Sequence, residues 1–138
     1  MGNQRYAIEV NDRDLDIFGV EFLNAATGEP ADMSAAKLVG GWIQVDSPNV
    51  SAEFVWPATG APVGQVGWEV TNQPSPTWQT EGTSYEASDY ETEPRHPNGS
   101  AGRTVLVADR VTAYARPVYT RTSGGAGAAL KCFVALMR

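Results

Sequence analysis

The chain has 138 residues, with 16 acidic and 10 basic side chains for a formal net charge of −6, and a single cysteine. This charge disfavours nucleic acid as a partner, because DNA and RNA binding needs basic side chains that replace counterions on the phosphates. One cysteine excludes an internal disulfide, and no apolar run approaches the ~20 residues of a membrane-spanning helix. A charged fraction of only 19%, with 14 glycines and 9 prolines, is typical of an all-β sandwich, and the length fits one domain over residues 1–138.

The first predicted element lies within residues 1–12, where Tyr6, Ile8 and Val10 alternate with Ala7 and Glu9. This alternation fits either an edge strand or an arm that reaches a neighbouring molecule, and both interpretations stay open. We expect Tyr6, Ile8 and Val10 to contribute to an interface. The opening residues form no apolar signal segment, so we expect synthesis and assembly in the cytoplasm.

Three aspartates, Asp12, Asp14 and Asp16, have the spacing that opens an EF-hand loop. Such a loop needs Gly at its sixth position and Glu at its twelfth, and the chain has Ile17 and Leu23 there. The pattern favours a solvated acidic turn, no metal site is predicted, and loose ion binding by the three aspartates stays open.

Strand patterns then recur about every ten residues, near residues 17–23, 41–46, 51–56 and 66–71. Residues 31–38 are compatible with one short helix or with an irregular crossover. This rhythm predicts an antiparallel β-sandwich, jelly-roll-like, with long loops and at most one short helix.

Residues 72–103 interrupt the rhythm with a proline-rich and acidic stretch, which we interpret as a long surface loop with one short strand near residues 83–87. Loops of this length inside a domain are uncommon unless they contact something. We therefore assign Tyr85, Tyr90 and Arg95 to an interface. The one histidine, His96, is predicted to be an ordinary surface residue, and neither it nor the loop carboxylates predict a catalytic site.

The last 28 residues form two predicted strands, 111–122 and 128–138, which a glycine-rich segment is expected to join as a hairpin. The second strand is apolar on both faces. Such a strand is buried on both sides, or is buried on one side and docks on a partner through the other. Cys132 is expected to be a buried apolar side chain. One face carries Leu130, Cys132, Val134 and Leu136, and the other carries Phe133, Ala135 and Met137.

This closing region has the course Tyr114-x-Arg116-x-x-Tyr119-Thr-Arg-Thr-Ser-Gly-Gly before its last apolar strand. It resembles the end of small β-sandwich virion proteins of tailed bacteriophages. The upstream Gly-Trp-Ile-Gln-Val and Val-Gly-Trp-Glu-Val strands, which contain Trp42 and Trp68, resemble the middle of the same proteins. The resemblance spans residues 38–138, with the acidic loop as an unmatched insertion.

The resemblance implies a non-enzymatic structural protein of the virion, without cofactors, whose partners are the major capsid protein or other virion proteins. Capsid decoration is the favoured function, and a tail or head–tail connector component is the alternative. A homo-oligomer is expected, with a trimer preferred. From a different class, a carbohydrate-binding module would use Trp56 and Trp78, which adjoin prolines and could stack on a sugar if exposed.

Overall fold

The computed structural model describes residues 5–8, 15–45, 50–85, 88–89, 95–108 and 112–137. Within these residues the chain forms β-strands and no helix. In chain order the strands are β1 (Arg5–Ile8), β2 (Leu15–Val20), β3 (Leu23–Asn24), β4 (Lys37–Val39), β5 (Ile43–Gln44), β6 (Val50–Trp56), β7 (Val63–Thr71), β8 (Thr83–Tyr85), β9 (Ser88–Asp89), β10 (Gly102–Ala108), β11 (Tyr114–Ser123) and β12 (Lys131–Met137).

The strands make two antiparallel sheets that pack face to face. Sheet A has the order β1-β2-β12-β6-β10-β9, and sheet B has the order β3-β4-β11-β7-β8, with β5 also paired to β11. The predicted all-β sandwich is confirmed, because both sheets direct alternate side chains into one shared core.

The pairing is nested along the chain, as in a jelly roll. The outermost principal strands pair first, β2 with β12, followed inward by β4 with β11, β6 with β10 and β7 with β8. Successive pairs alternate between sheet A and sheet B, so one long folded-back ribbon wraps into two layers.

The core lies between the inner faces of the sheets. The inner positions of β12 are buried as their spacing predicts, with Cys132, Val134 and Leu136 each at most 9% exposed. The largest buried side chains include Trp56 on sheet A and Trp68 on sheet B. Burial of this kind is the main stabilising term for a domain without disulfides.

The predicted terminal hairpin is wrong, because β11 and β12 belong to different sheets. The connection Gly124–Gly127 crosses between the layers and is held by other loops. The Gly125 N–H donates to Gly60 O at 2.8 Å, and the Met33 N–H donates to Ala128 O at 2.9 Å. Gly124, Gly125 and Gly127 all have positive φ, which lets the backbone change direction without strain.

The helical alternative for residues 31–38 is also wrong, and the crossover alternative is what forms. Asp32 Oδ1 accepts hydrogen bonds from the backbone and side chain of Ser34, and its Oδ2 accepts from the Gly127 N–H at 2.9 Å. These bonds, above all the one from the Ser34 hydroxyl, hold the pKa of Asp32 below its usual value. An aspartate that bonds its own backbone two residues on competes with helix formation, and Lys37 then enters β4.

A substitution at Gly125 tests the crossing. Gly125 has a φ of 96°, and a Cβ there would lie 2.3 Å from Met33 O, whereas at Gly99 (φ 100°) a Cβ would meet nothing within 4 Å. We expect Gly99→Ala to lower the free energy of unfolding by about 1 kcal/mol through backbone strain alone. Gly125→Ala should cost roughly 2–4 kcal/mol because the clash adds to that strain. Urea unfolding measures both, and equal losses would contradict a packed crossing.

Candidate functional site

A buried ion pair lies on the outer side of sheet B. Glu69 on β7 and Arg116 on β11 are directly opposite each other in the ladder, and each side chain is only 3% exposed. Arg116 Nε and Nη2 donate to Glu69 Oε1 at 3.1 and 2.8 Å. Lys37 also bonds the other carboxylate oxygen of Glu69, so the one acidic group faces two cations.

Arg116 also holds the segment of residues 72–82 against the sheet. Its Nη1 donates to Trp78 O at 3.0 Å, and its Nη2 donates to Thr80 O at 2.9 Å. The guanidinium lies 4.2 Å from the centre of the Trp42 ring, and Trp42 Nε1 donates to Thr77 O at 2.8 Å. We call Lys37, Trp42, Glu69 and Arg116 the Arg116 cluster.

The chemistry of the Arg116 cluster is structural. Four of the five N–H groups of Arg116 donate to groups of this chain, which leaves the guanidinium committed to the fold. Burial lowers the pKa of Arg116, while the hydrogen bond and charge of Glu69 act in the opposite direction. Arg116 therefore fixes a loop and does not present its charge to a substrate.

The same segment covers the apolar part of sheet B. Trp78 packs on a small buried cluster of Leu23, Val39 and Val118, which lies outside the main core. A Cβ on Gly28 would lie 2.6 Å from the Trp78 ring, so the indole rests directly on the Gly28 backbone. The apolar part of the outer side of sheet B is thus covered by its own chain.

Sheet A differs, because its outer side carries half-buried apolar residues that no described segment of the chain covers in this way. Residues opposite each other in an antiparallel ladder share a face, which places the outward positions in three rows. The first row is Lys131, Val55 and Arg103; the second is Gly19, Phe133, Glu53 and Val105; the third is Ile17, Ala135, Ser51 and Val107. We call these rows the outer face of sheet A.

The charges on the outer face of sheet A are few and mixed. Glu53 lies in the middle row, and Arg103 lies one row away on the neighbouring strand. Arg103 Nη1 is 3.9 Å from Glu53 Oε2, with the side chains 74% and 39% exposed. At that distance and exposure the pair is weak within one molecule.

The N-terminal segment adds to this sheet. Residues 5–8 form β1, an edge strand of sheet A, in which Tyr6 is opposite Gly19 and Ile8 is opposite Ile17. Tyr6 and Ile8 therefore occupy register positions in the second and third rows of the outer face of sheet A. Val10, the third residue predicted for this interface, lies outside the described residues.

Two of the three interface residues predicted in the long loop lie among the described residues. Tyr85 ends β8 opposite Trp68, Tyr90 lies outside the described residues, and Arg95 is half-buried. Arg95 lines a cavity of about 220 Å³ beside β7, together with Gln65, Ser84 and Thr120. These residues are on the sheet B side, away from Tyr6 and Ile8.

His96 lines the same cavity and is half-buried, which corrects its assignment as an ordinary surface residue. Its Nδ1 accepts a hydrogen bond from the Val66 N–H at 3.3 Å. The described pairing of β8 with β7 spans residues 68–70 of β7, so this imidazole satisfies a backbone donor just beyond that pairing.

The assignment of Trp56 to carbohydrate binding is wrong. Trp56 is 2% exposed, and its Nε1 donates to Ser100 O at 3.0 Å, so its ring is part of the core. Trp78 is half-buried with its ring against Gly28. A sugar platform needs an exposed ring face, and Trp56 offers none.

Within the described part of the chain, no group of three or more His, Cys, Asp or Glu side chains is arranged to hold a metal ion, and no helix is long and apolar enough to span a membrane. Asp12 and Asp14 lie outside the described residues, while Asp16 is in β2 opposite Leu136.

Comparison with known proteins does not identify a family for this chain. No protein-family model matches the chain, and no curated protein matches it significantly.

The Arg116 cluster was missed by the sequence reasoning, although a signal was present. Glu69 and Arg116 each lie within a strand of mostly apolar and aromatic neighbours, where an ionised group is costly unless it is paired. Two opposite charges in two such strands predict a cross-strand pair once those strands are placed side by side.

Double-mutant analysis tests the ion pair. Arg116→Met should lower the free energy of unfolding by about 3–5 kcal/mol, because it leaves Glu69 buried without its main partner and releases the loop. Combining it with Glu69→Leu should cost less than the sum of the two single changes, since no unpaired buried charge remains and the Lys37 side chain, which is 37% exposed, can reach water. The matched control Arg103→Met, at an exposed pair, should cost under about 1 kcal/mol. Similar losses for Arg116→Met and Arg103→Met in urea unfolding would contradict the assignment.

The single thiol provides a probe of unfolding. Cys132 is 2% exposed, and burial, aided by the charge of Glu53, raises its pKa well above the usual value. The thiol therefore stays protonated and shielded in the folded state, and we expect a disulfide reagent to label it at least about a hundredfold more slowly in buffer than in denaturant. Ellman's reagent measures both rates, and rapid labelling in buffer would place the thiol at the surface instead.

Proposed function

We propose that this protein is a non-enzymatic structural protein of a tailed-phage virion, and that it decorates the capsid. The observation that carries the proposal is the outer face of sheet A, an apolar face without a covering segment among the described residues. Exposed apolar faces that are larger than isolated side chains mark sites of protein association. Among the described residues, the segment 72–82 covers the apolar part of the other outer side, on sheet B, so the outer face of sheet A is the apolar face that we assign to a partner.

The fold is compatible with the proposed function but also with others. Jelly rolls serve in viral capsid proteins and also in lectins and cupins, so the fold alone does not assign a function. The course of residues 114–125 into the closing strand, which resembles the end of phage virion sandwiches, favours the capsid class among these. The burial of Trp56 disfavours the lectin-like alternative.

The charge of the molecule suits the outside of a shell. A protein with a net charge of −6 is repelled by packaged DNA and remains soluble before assembly in the host cytoplasm. The major capsid protein is the expected partner, and a tail or head–tail connector component would use the same outer face on a different neighbour.

Particle composition tests the proposal. Mass spectrometry of purified virions of the phage that encodes this chain should detect the protein at a fixed copy number in the head fraction. Its recovery only in tails would assign it to the tail instead, and its absence from particles would contradict a virion role.

A binding experiment with a deletion extends this test. Purified protein should saturate heads that lack it, and removal of residues 1–10 should weaken that binding at least about tenfold by removing β1 from the edge of sheet A. Circular dichroism should show a folded variant, because β2, β12, β6 and β10 keep their ladders. Unchanged binding after the deletion would exclude the N-terminal segment from the contact.

A further inference from the structure

We propose that the outer face of sheet A is the contact surface for a second copy of this chain, related to the first by a two-fold axis. This contact forms in the free protein, whether or not the protein is a virion component. Because the proposed capsid contact uses the same face, the two copies would have to separate before either one binds a capsid. The proposal rests on the rows of apolar residues and on the arrangement of Glu53, Arg103 and Lys131 among them.

The apolar residues provide the attraction. Phe133 and Val105 flank Glu53 in the middle row, while Ile17 and Val107 end the third row, and all four apolar side chains are half-buried in the single chain. Covering them with a flat, similarly apolar face removes their remaining surface from water, which is the main driving term in association. Two sheets pack in this way about 10 Å apart.

The charges select a second copy as the occupant. A two-fold contact brings a patch against itself, so a face that carries one sign of charge repels its copy, and a face that carries both signs can be self-complementary. Glu53 is 39% exposed and Arg103 is 74% exposed, and their 3.9 Å separation leaves both able to bond a further partner. In the dimer each Glu53 meets the Arg103 of the other copy, which makes a cluster of four alternating charges.

The register allows this meeting. Glu53 and Arg103 lie on paired neighbouring strands and are offset by two residues, so their Cα atoms are roughly 8 Å apart for strands ~4.8 Å apart and a rise of ~3.4 Å per residue. Consider a two-fold axis that lies in the plane of contact, perpendicular to the line from Glu53 to Arg103 and midway between them. This axis places Glu53 of each copy over Arg103 of the other copy. Both ion pairs then form at once beside Phe133 and Val105.

The global charge also favours this face. The chain carries −6, so two copies repel each other over most of their surface. The described side chains of the outer face of sheet A include two basic residues, Arg103 and Lys131, and one acidic residue, Glu53. This local charge of +1 is small, so two copies repel each other less on this side than over the rest of their acidic surface.

A charge-reversal experiment tests the proposal. Sedimentation velocity of the purified full chain at increasing micromolar concentrations should show a monomer–dimer equilibrium. Glu53→Arg makes the face wholly basic, and Arg103→Glu removes the basic partner of Glu53, so each should weaken the dimer at least about tenfold. The two single variants mixed together should form a heterodimer, because the opposite charges now lie on different copies.

Three further variants complete the design. Phe133→Asp, which introduces a charge among the apolar rows, should also abolish dimer formation. The double variant Glu53→Arg/Arg103→Glu should restore the dimer that each of its two single changes weakens, because opposite charges again face each other. Glu29→Arg is the control, because it changes the net charge by as much as Glu53→Arg does but lies at an exposed position on a sheet B loop. It should leave the dimer unchanged apart from a small gain in affinity from reduced repulsion.

Several outcomes would overturn the proposal. A wild-type chain that stays monomeric, a trimer, or a dimer that ignores Glu53→Arg, Arg103→Glu and Phe133→Asp would each exclude a two-fold contact through this face. A monomer that nevertheless binds capsids through Phe133 would assign the face to the shell. These results differ from absence of the protein from particles, which would contradict the virion proposal alone.

Discussion

The arrangement of the molecule depends on the pair between Glu69 and Arg116 at the centre of sheet B. The two charges face each other on neighbouring strands, and Arg116 uses its remaining donors to bond the backbone of residues 78 and 80. A buried ion pair contributes little net stability by itself, but removal of one partner is costly. Its role here is specificity, because it directs the 72–82 segment onto sheet B and brings Trp78 over Val39 and Val118. This contact distinguishes the outer side of sheet B, which residues 72–82 cover, from the outer side of sheet A.

The nested strand pairing has a related consequence. Because β12 pairs with both β2 and β6, the most apolar strand lies in the interior of sheet A, where its inner side chains meet the core and Phe133 and Ala135 face outward. The crossing at Gly124–Gly127 makes this possible by moving the chain from one layer to the other. Contacts of the crossing with the backbones of Gly60 and Met33 tie three separate loops together. The topology therefore creates the apolar outer face of sheet A, because it places β12 between β2 and β6.

Much of the fold was predictable from local patterns, and the errors have identifiable physical causes. Apolar patterns predicted the strands that contain Trp68, Val134 and Phe54, as well as the two-layer class. One-sided burial imposes a period of two on a strand such as that of Trp68, whereas the strand of Val134 is apolar on both faces. The glycine-rich crossing was mistaken for a hairpin turn, since glycine permits positive φ in either setting and does not specify the sheet of the next strand. The sequence of residues 31–38 is compatible with a helix. The hydrogen bonds that Asp32 accepts from Ser34 and Gly127 stabilise a turn there instead.

The sequence by itself determined the strand periodicity, the burial of Cys132 and the apolar character of both sides of the last strand, since these follow from residue type and spacing along one segment. Only the tertiary structure decided that Trp56 is inside, that Arg116 meets Glu69, and which of the two outer sides residues 72–82 cover. Those features depend on contacts between residues 38 to 47 positions apart, as with Arg116 and its partners Trp78 and Glu69. Such contacts exist only after strands distant in the chain have been brought together, and no local pattern encodes which strands those are.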